Sequence, residues 1–183
     1  MMSYLDLDRL DSDDELIRKN MHRFAEEVLR PLSIKVDRME PRDRVAPGSP
    51  LYDAIREMKK MGLHKIHLPR EHGGLGLTNL QRYIIDEELG WASLGFATLI
   101  GVDAIPFTIA ALFGSERVKD ELVKPWLEDT EARYIGCWGV TEPEHGSDYT
   151  LAFRDRDVES LGRGNVVIER DGNGCVINGQ KSA

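Results

Sequence analysis

From Ile17 to Met39 the apolar residues Ile17, Met21, Phe24, Val28, Leu32, Val36 and Met39 recur at every third or fourth position. That period is the core stripe of a long amphipathic helix and excludes a strand. Ser12 or Asp13 is placed to cap its start, with Glu15 in the first turn. Pro31 is expected to kink the helix without ending it, and Pro41 lies just past its end. The turn-rich run Val45–Pro50 follows, and Ser49-Pro50 opens a second helix carrying Leu51, Ile55 and Met58, closed by Gly62. Pro69 and the glycines between Gly62 and Gly76 break any regular period, so this stretch is an ordered connection. Thr78 or Asn79 caps a third helix, in which Leu80, Tyr83, Ile84, Glu87 and Glu88 divide core from solvent as far as about Trp91. Phe96–Phe113 is apolar enough to suggest a lipid span. Asp103 and Pro106 in its middle point instead to a buried helix of a helical domain. Gly114 and Ser115 end that helix and cap another over Glu116–Glu128, with Val118, Leu122 and Leu127 inward.

After Ala132 the pattern changes. Tyr134–Thr141 is rich in β-formers, and residues 164–179 read as two strands around an Asp-Gly-Asn-Gly turn. The expected fold class is α+β: an all-α domain over 1–132, then the first strands of an incomplete β-barrel domain over 133–183. The sequence offers too few strands after Ala132 to bury a sheet face or close a barrel.

Composition narrows the function. The 183 residues carry a formal net charge of −8 with the acidic residues scattered, so no basic stripe is available to neutralise nucleic-acid phosphates. Cys137 and Cys175 are too few and too far apart for a disulfide scaffold or a four-ligand zinc site. The acidic N-terminal stretch has neither the basic start nor the apolar run of a leader. Together these point to a cytoplasmic protein that binds neither membrane nor nucleic acid.

The string Cys137-Trp-Gly-Val-Thr-Glu-Pro-Glu-His-Gly-Ser-Asp148 resembles the signature loop of the acyl-CoA dehydrogenase family. Further matches follow the family's order: Pro69-Arg-Glu-His-Gly-Gly-Leu-Gly76, Phe113-Gly-Ser-Glu-Arg117 ahead of Pro125-Trp-Leu, and Ile177-Asn-Gly-Gln-Lys181. The resemblance covers nearly the whole chain. It implies FAD as cofactor and an acyl-CoA thioester as substrate, oxidised to the enoyl-CoA in fatty acid metabolism. It also implies an electron-transfer flavoprotein as acceptor and a homotetrameric assembly. By the same resemblance Val140 supplies main-chain contacts to the flavin, Thr141 a hydroxyl toward N5, and Trp138 a wall for the ring. Gly146 and Ser147 present amides and a hydroxyl to the FAD pyrophosphate, and Ser147 also faces the CoA moiety. Glu142 is expected to shape the turn, not to transfer protons. Glu144 and His145 depart from the small residues usual there, which puts the local shape in question. The family's catalytic base is a carboxylate of a C-terminal helical domain, so no catalytic residue is expected in this chain. Alone it is expected to be inactive, as part of a longer or split enzyme.

Other readings of the same residues are blander. His64, His67 and His72 lie across an irregular connection without accompanying metal-ligand spacing, so no metal site is expected. Gly73-Gly-Leu-Gly76 lacks the preceding strand of a phosphate loop and reads as a turn. Adjacent Glu87 and Glu88 diverge by about 100° on a helix, and Cys137 reads as a small core residue. Two further functions remain open from the residues alone: a non-catalytic helical interaction module, and an acyl-CoA oxidase-like relative differing in how the flavin is reoxidised.

Overall fold

In the computed structural model, residues 10–146 and 164–182 are described. The chain divides into two compact units, 1–137 and 138–183. The first is helical: α1 (Ser12–Phe24), α2 (Arg30–Asp37), α3 (Pro41–Arg44), α4 (Pro50–Lys60), α5 (Asn79–Ala92), α6 (Leu94–Phe113), α7 (Glu116–Val118) and α8 (Lys124–Glu128). The second contains one antiparallel hairpin, β1 (Val167–Asp171) and β2 (Gly174–Asn178), with Val167 opposite Asn178 and Asp171 opposite Gly174.

The long first helix is present, with its cap one residue earlier than the sequence suggests. Asp11 accepts from the backbone amides of Asp13 and Asp14 at 2.9 Å each. Between α1 and α2 the helix widens into a π-turn, Ala25–Leu29. Pro31 follows directly, and a proline inside a helix lacks its N–H and crowds the preceding turn. Widening that turn lets the helix pass the proline without stopping. The same device recurs at the end of the unit, where the π-turn Lys119–Val123 precedes Pro125. It explains a correction. A π-turn inserts one residue into the helical count, so the inward face moves on by one. Val123 and Trp126 are buried, whereas Leu122, expected inside, is exposed. The short α3 was not visible in the sequence, where Pro41 marked only an end.

The α1 to α5 face of the unit is closed by a core that includes Met21, Leu29, Met58, Ile85, Leu89 and Phe96. Polar pairs rim it: Gln81 Nε2 donates to the buried Asp14 at 3.1 Å, and His22 pairs with Glu88 at 2.7 Å. Thr78 and Gln81 cap α5 reciprocally. The connection before α5 turns as expected, through two short 3₁₀ turns, Leu63–Lys65 and Arg70–His72. Gly74 is required there, since a Cβ would lie 1.6 Å from the Leu68 carbonyl oxygen.

Helix α6 is the one helix among the described residues long and apolar enough by composition to cross a membrane. Within the fold one side of it joins the core while Leu94, Ile109, Leu112 and Phe113 are exposed, so it is buried less completely than the sequence suggests. Phe96 and Ile100 enter the first core, and Ala104 and Ala111 pack in a second core with Leu68, Val123 and Trp126. Phe107 stacks on Trp126 with ring centroids 4.8 Å apart.

Tyr134–Thr141, read as strand-forming, is extended without strand pairing among the described residues. A strand needs a partner for its ladder, and among the described residues β1 and β2 pair only with each other. Every residue of β1 and β2 is exposed, including Ile168 and Ile177.

Candidate functional site

Two sets of charged groups organise the approach to the Thr-Glu-Pro loop and the loop itself. The first was not visible in the sequence and lies inside the helical unit. Lys59, on α4, has a fully buried side chain. Its Nζ donates to the Tyr134 carbonyl at 2.5 Å and sits 3.3 Å from Asp103 and 3.4 Å from Asp129. Asp103 also accepts from the Trp126 indole at 3.2 Å and from the Gly136 backbone amide at 2.7 Å. Asp129 accepts from the amides of Glu131 and Tyr134 at 3.0 Å each. Burial pushes the Asp129 carboxyl up, but these amides, that of Arg133 and the Lys59 charge together hold it below the usual carboxylate range. Buried charges persist only when paired and hydrogen-bonded in this way.

The arrangement fixes residues 129–136, the stretch leading into the loop. Gly136 passes so close to α6 that a Cβ would meet the Asp103 carbonyl oxygen at 2.2 Å and Pro106 Cγ at 2.7 Å. Sequence reasoning took Asp103 as an argument against a lipid span and gave Lys59 no role. One lysine in a Met-Lys-Lys-Met run carries no mark of burial; the mark was Asp103, a charge inside an apolar helix that required a partner.

His64 lies beside this network and does not join His67 and His72. It is buried, edge-on to Trp126 with centroids 5.0 Å apart. Among the described residues neither ring nitrogen has a hydrogen-bond partner. Burial, reinforced by the Lys59 charge, lowers its pKa to about 4, so the ring is neutral near pH 7. His67 faces Asp86 at 3.6 Å on the surface.

The second set belongs to the loop. Trp138 is half exposed, Thr141 is exposed and Val140 partly buried, while the Glu142 carboxylate is buried. Glu142 and His145 exchange backbone hydrogen bonds of 2.8 and 3.2 Å, which turns the chain tightly through Pro143 and Glu144. One Glu142 oxygen accepts from Lys181 Nζ at 2.7 Å and the other from the Asn165 amide. Lys181, then the Asn165 and Val166 amides, hold this carboxyl below the usual carboxylate range. The carboxylate thereby ties the turn to Lys181 and to the Asn165 backbone. Glu144 is exposed at the tip of the turn, its carboxylate accepting from the Asn165 side-chain amide at 3.4 Å.

The Val140 carbonyl accepts from Lys181 Nζ at 3.3 Å and the Thr141 carbonyl from the Ser182 amide at 2.8 Å. With both carbonyls engaged, the segment offers chiefly its amides and the Thr141 hydroxyl. Gly139 and Gly146 border open space: a Cβ at either would meet nothing closer than 3.9 Å. An exposed indole, a hydroxyl and amide donors are groups that could hold the face and pyrimidine edge of a flavin ring. Ser147, assigned to the pyrophosphate and CoA, lies outside the described residues.

The helical unit and the loop together carry the marks of an N-terminal segment of the acyl-CoA dehydrogenase fold. The chain matches the family description acyl-CoA dehydrogenase, N-terminal domain, over residues 11–129. It belongs to the acyl-CoA dehydrogenase family. It is 26% identical over 172 residues to acryloyl-CoA reductase (NADH) of Anaerotignum propionicum, covering 94% of this chain and 38% of that protein. It is likewise 26% identical over 169 residues to the mitochondrial short-chain specific acyl-CoA dehydrogenase of Mus musculus, covering 92% and 35%. Among solved structures, nitroalkane oxidase superposes with a TM-score of 0.73 at 22% identity, over 94% of this chain and 38% of that one. An acyl-CoA dehydrogenase complexed with FAD from Bacillus anthracis gives 0.67 at 24% identity, over 96% and 27%. These two likenesses show the fold. The chain spans little more than a third of the length of the curated relatives it matches.

Proposed function

We propose that this chain supplies the acyl-side helical domain and the flavin-contacting loop of an FAD-dependent acyl-CoA dehydrogenase, which converts an acyl-CoA thioester to the enoyl-CoA. The observation that carries the reading is the Trp138–Glu142 segment, with its exposed indole and hydroxyl, attached to a domain of this family. Trp138, Val140, Thr141 and Gly146 would hold the flavin, and Ser147 the pyrophosphate and CoA side. Bound flavin would supply the two-electron acceptor for the β-hydrogen of the substrate. The chain's own contribution is to bind and orient: Trp138 walls the ring, the Thr141 hydroxyl donates toward the reducible edge, and Glu142 is kept from proton traffic by its pairing with Lys181. The α-proton falls to a carboxylate outside these residues.

As partners we propose an electron-transfer flavoprotein and further copies of the same protein in a homotetramer, working in fatty acid metabolism in the cytoplasm. Both Cys137 and Cys175 are free, which suits a reducing compartment. The test is the visible absorption spectrum and intact mass of the native protein, followed by reduction with short- and long-chain acyl-CoA. Flavin bands bleached by an acyl-CoA are expected. A flavin-free protein that stays monodisperse at the mass of this chain would remove the enzyme reading.

A further inference from the structure

Within the string Ile177-Asn-Gly-Gln-Lys181, the function above uses Lys181 solely as the charge partner of Glu142, yet the geometry of the whole string is specific. Leaving β2, the chain turns at Gly179 with φ +142° and crosses the strand entering β1. A Cβ at Gly179 would lie 2.6 Å from Val166 Cα and 2.8 Å from the Asn165 carbonyl oxygen, so only glycine allows the crossing. The crossing brings Lys181 beside the loop. Its stem runs past Gly139, and its single ammonium reaches both the Val140 carbonyl at 3.3 Å and the buried Glu142 carboxylate at 2.7 Å. Ser182 then binds Thr141 through the backbone at 2.8 Å. Glu142 in turn holds the Asn165 amide. Three segments distant in sequence, 139–142, 165–166 and 179–182, are thus joined through one carboxylate and one ammonium. The join falls on the residues assigned to the flavin and on none of their outward groups.

We propose that Lys181 and Glu142 form a clamp that positions the flavin-contacting segment, residues 139–142. Lys181 is the positioning residue: it sets the direction of the Val140 carbonyl, and with it the neighbouring amides and the Thr141 hydroxyl, before any ligand binds. The proposal rests on the flavin reading of the loop. Preorganisation of this kind acts on affinity by removing an ordering cost from the binding step.

The test uses the full-length protein, stripped of flavin and titrated with FAD, with the visible spectrum of the bound flavin and the melting temperature of the apoprotein recorded together. Glu142→Gln keeps the shape of the side chain and removes its charge; Lys181→Met removes the ammonium. Each is expected to weaken FAD about tenfold and to alter the flavin band shape, as the loss of one charge-assisted bond in a shared network predicts. Lys181→Arg is expected to recover most of the affinity, and the double variant to bind no more weakly than Lys181→Met. Wild-type affinity and spectrum in Glu142→Gln and Lys181→Met, or losses that add in the double variant, would overturn the clamp while leaving the flavin reading intact. A wild-type protein that takes up no FAD would overturn the flavin reading, and the clamp with it. If Lys181→Met lowers the apoprotein melting temperature sharply, the shape-conserving Glu142→Gln and the Lys181→Arg variant decide the matter.

Discussion

The helical unit and the β unit handle charge in opposite ways. In the first, Lys59, Asp103 and Asp129 are buried: Lys59 pairs with both carboxylates, and the three groups bind the Trp126 indole and backbone groups of Glu131, Tyr134 and Gly136. In the second, Lys181 keeps its side chain 42% exposed while its partner Glu142 is buried, and the hairpin beside them buries nothing. A wholly buried pair is costly to break and contributes mainly to the geometry it imposes. A pair open on one side is screened by water and is weaker. The helical unit should therefore be fixed before anything binds, whereas the loop's shape rests on a lighter restraint.

The largest expected effect is in the helical unit. Lys59→Met would leave two carboxylates buried without their cation and is expected to cost about 3–5 kcal/mol, read from urea unfolding. A cost below about 1 kcal/mol would show that the network is not a closed one, and the contrast between the units would fail. Gly136→Ala should come next, at about 1–3 kcal/mol by thermal melting, because its new methyl must displace α6 near Asp103 and Pro106.

The acid response of the helical unit follows from His64. Its pKa is about 4 in the fold against about 6.5 in an unfolded chain, so between those values the unfolded state binds the extra proton. Stability from this group is complete above about pH 6.5 and falls as the pH drops toward about 4. A melting curve against pH should flatten over that window in His64→Phe; an unchanged slope would assign the acid sensitivity to other groups. Asp11→Ala, which removes the cap of α1, is expected to cost about 1 kcal/mol. The smallest effect belongs to the β unit: in the 183-residue chain, Ile168→Ser or Ile177→Ser should change stability by less than about 0.5 kcal/mol, since both side chains are already in water. A large loss there would mean that the hairpin is covered in solution.

The sequence was most informative where local rules act alone. Ser49 before Pro50 and Thr78 at the start of α5 were legible as caps, because a cap is decided within one turn of chain. The stripe of the first helix was legible in part: Met21 is buried as expected, but Ala25 and Leu29 are buried beside it while Phe24 and Val28 are partly exposed. The Leu122 face was misread because nothing in the residues before Pro125 shows that the helix will absorb an extra residue there. Lys59 was missed for a different reason. Its partners lie more than 40 residues away in sequence, and only packing brings them to it. Within the loop, Trp138, Val140 and Thr141 came from a family resemblance. The reach of Lys181 to Val140 and Glu142 came from the chain crossing at Gly179, which no local pattern specifies.

Asp103 carries a consequence for the chain before it folds. While the polypeptide is being made, Leu94–Phe113 emerges as a 20-residue apolar stretch that insertion and aggregation machinery reads by hydropathy alone. A carboxylate near the centre of such a stretch raises the cost of membrane insertion by about 2.5–3.5 kcal/mol. The residue that anchors Gly136 and Trp126 in the fold thus also makes this stretch costlier to place in a bilayer than its other side chains alone would.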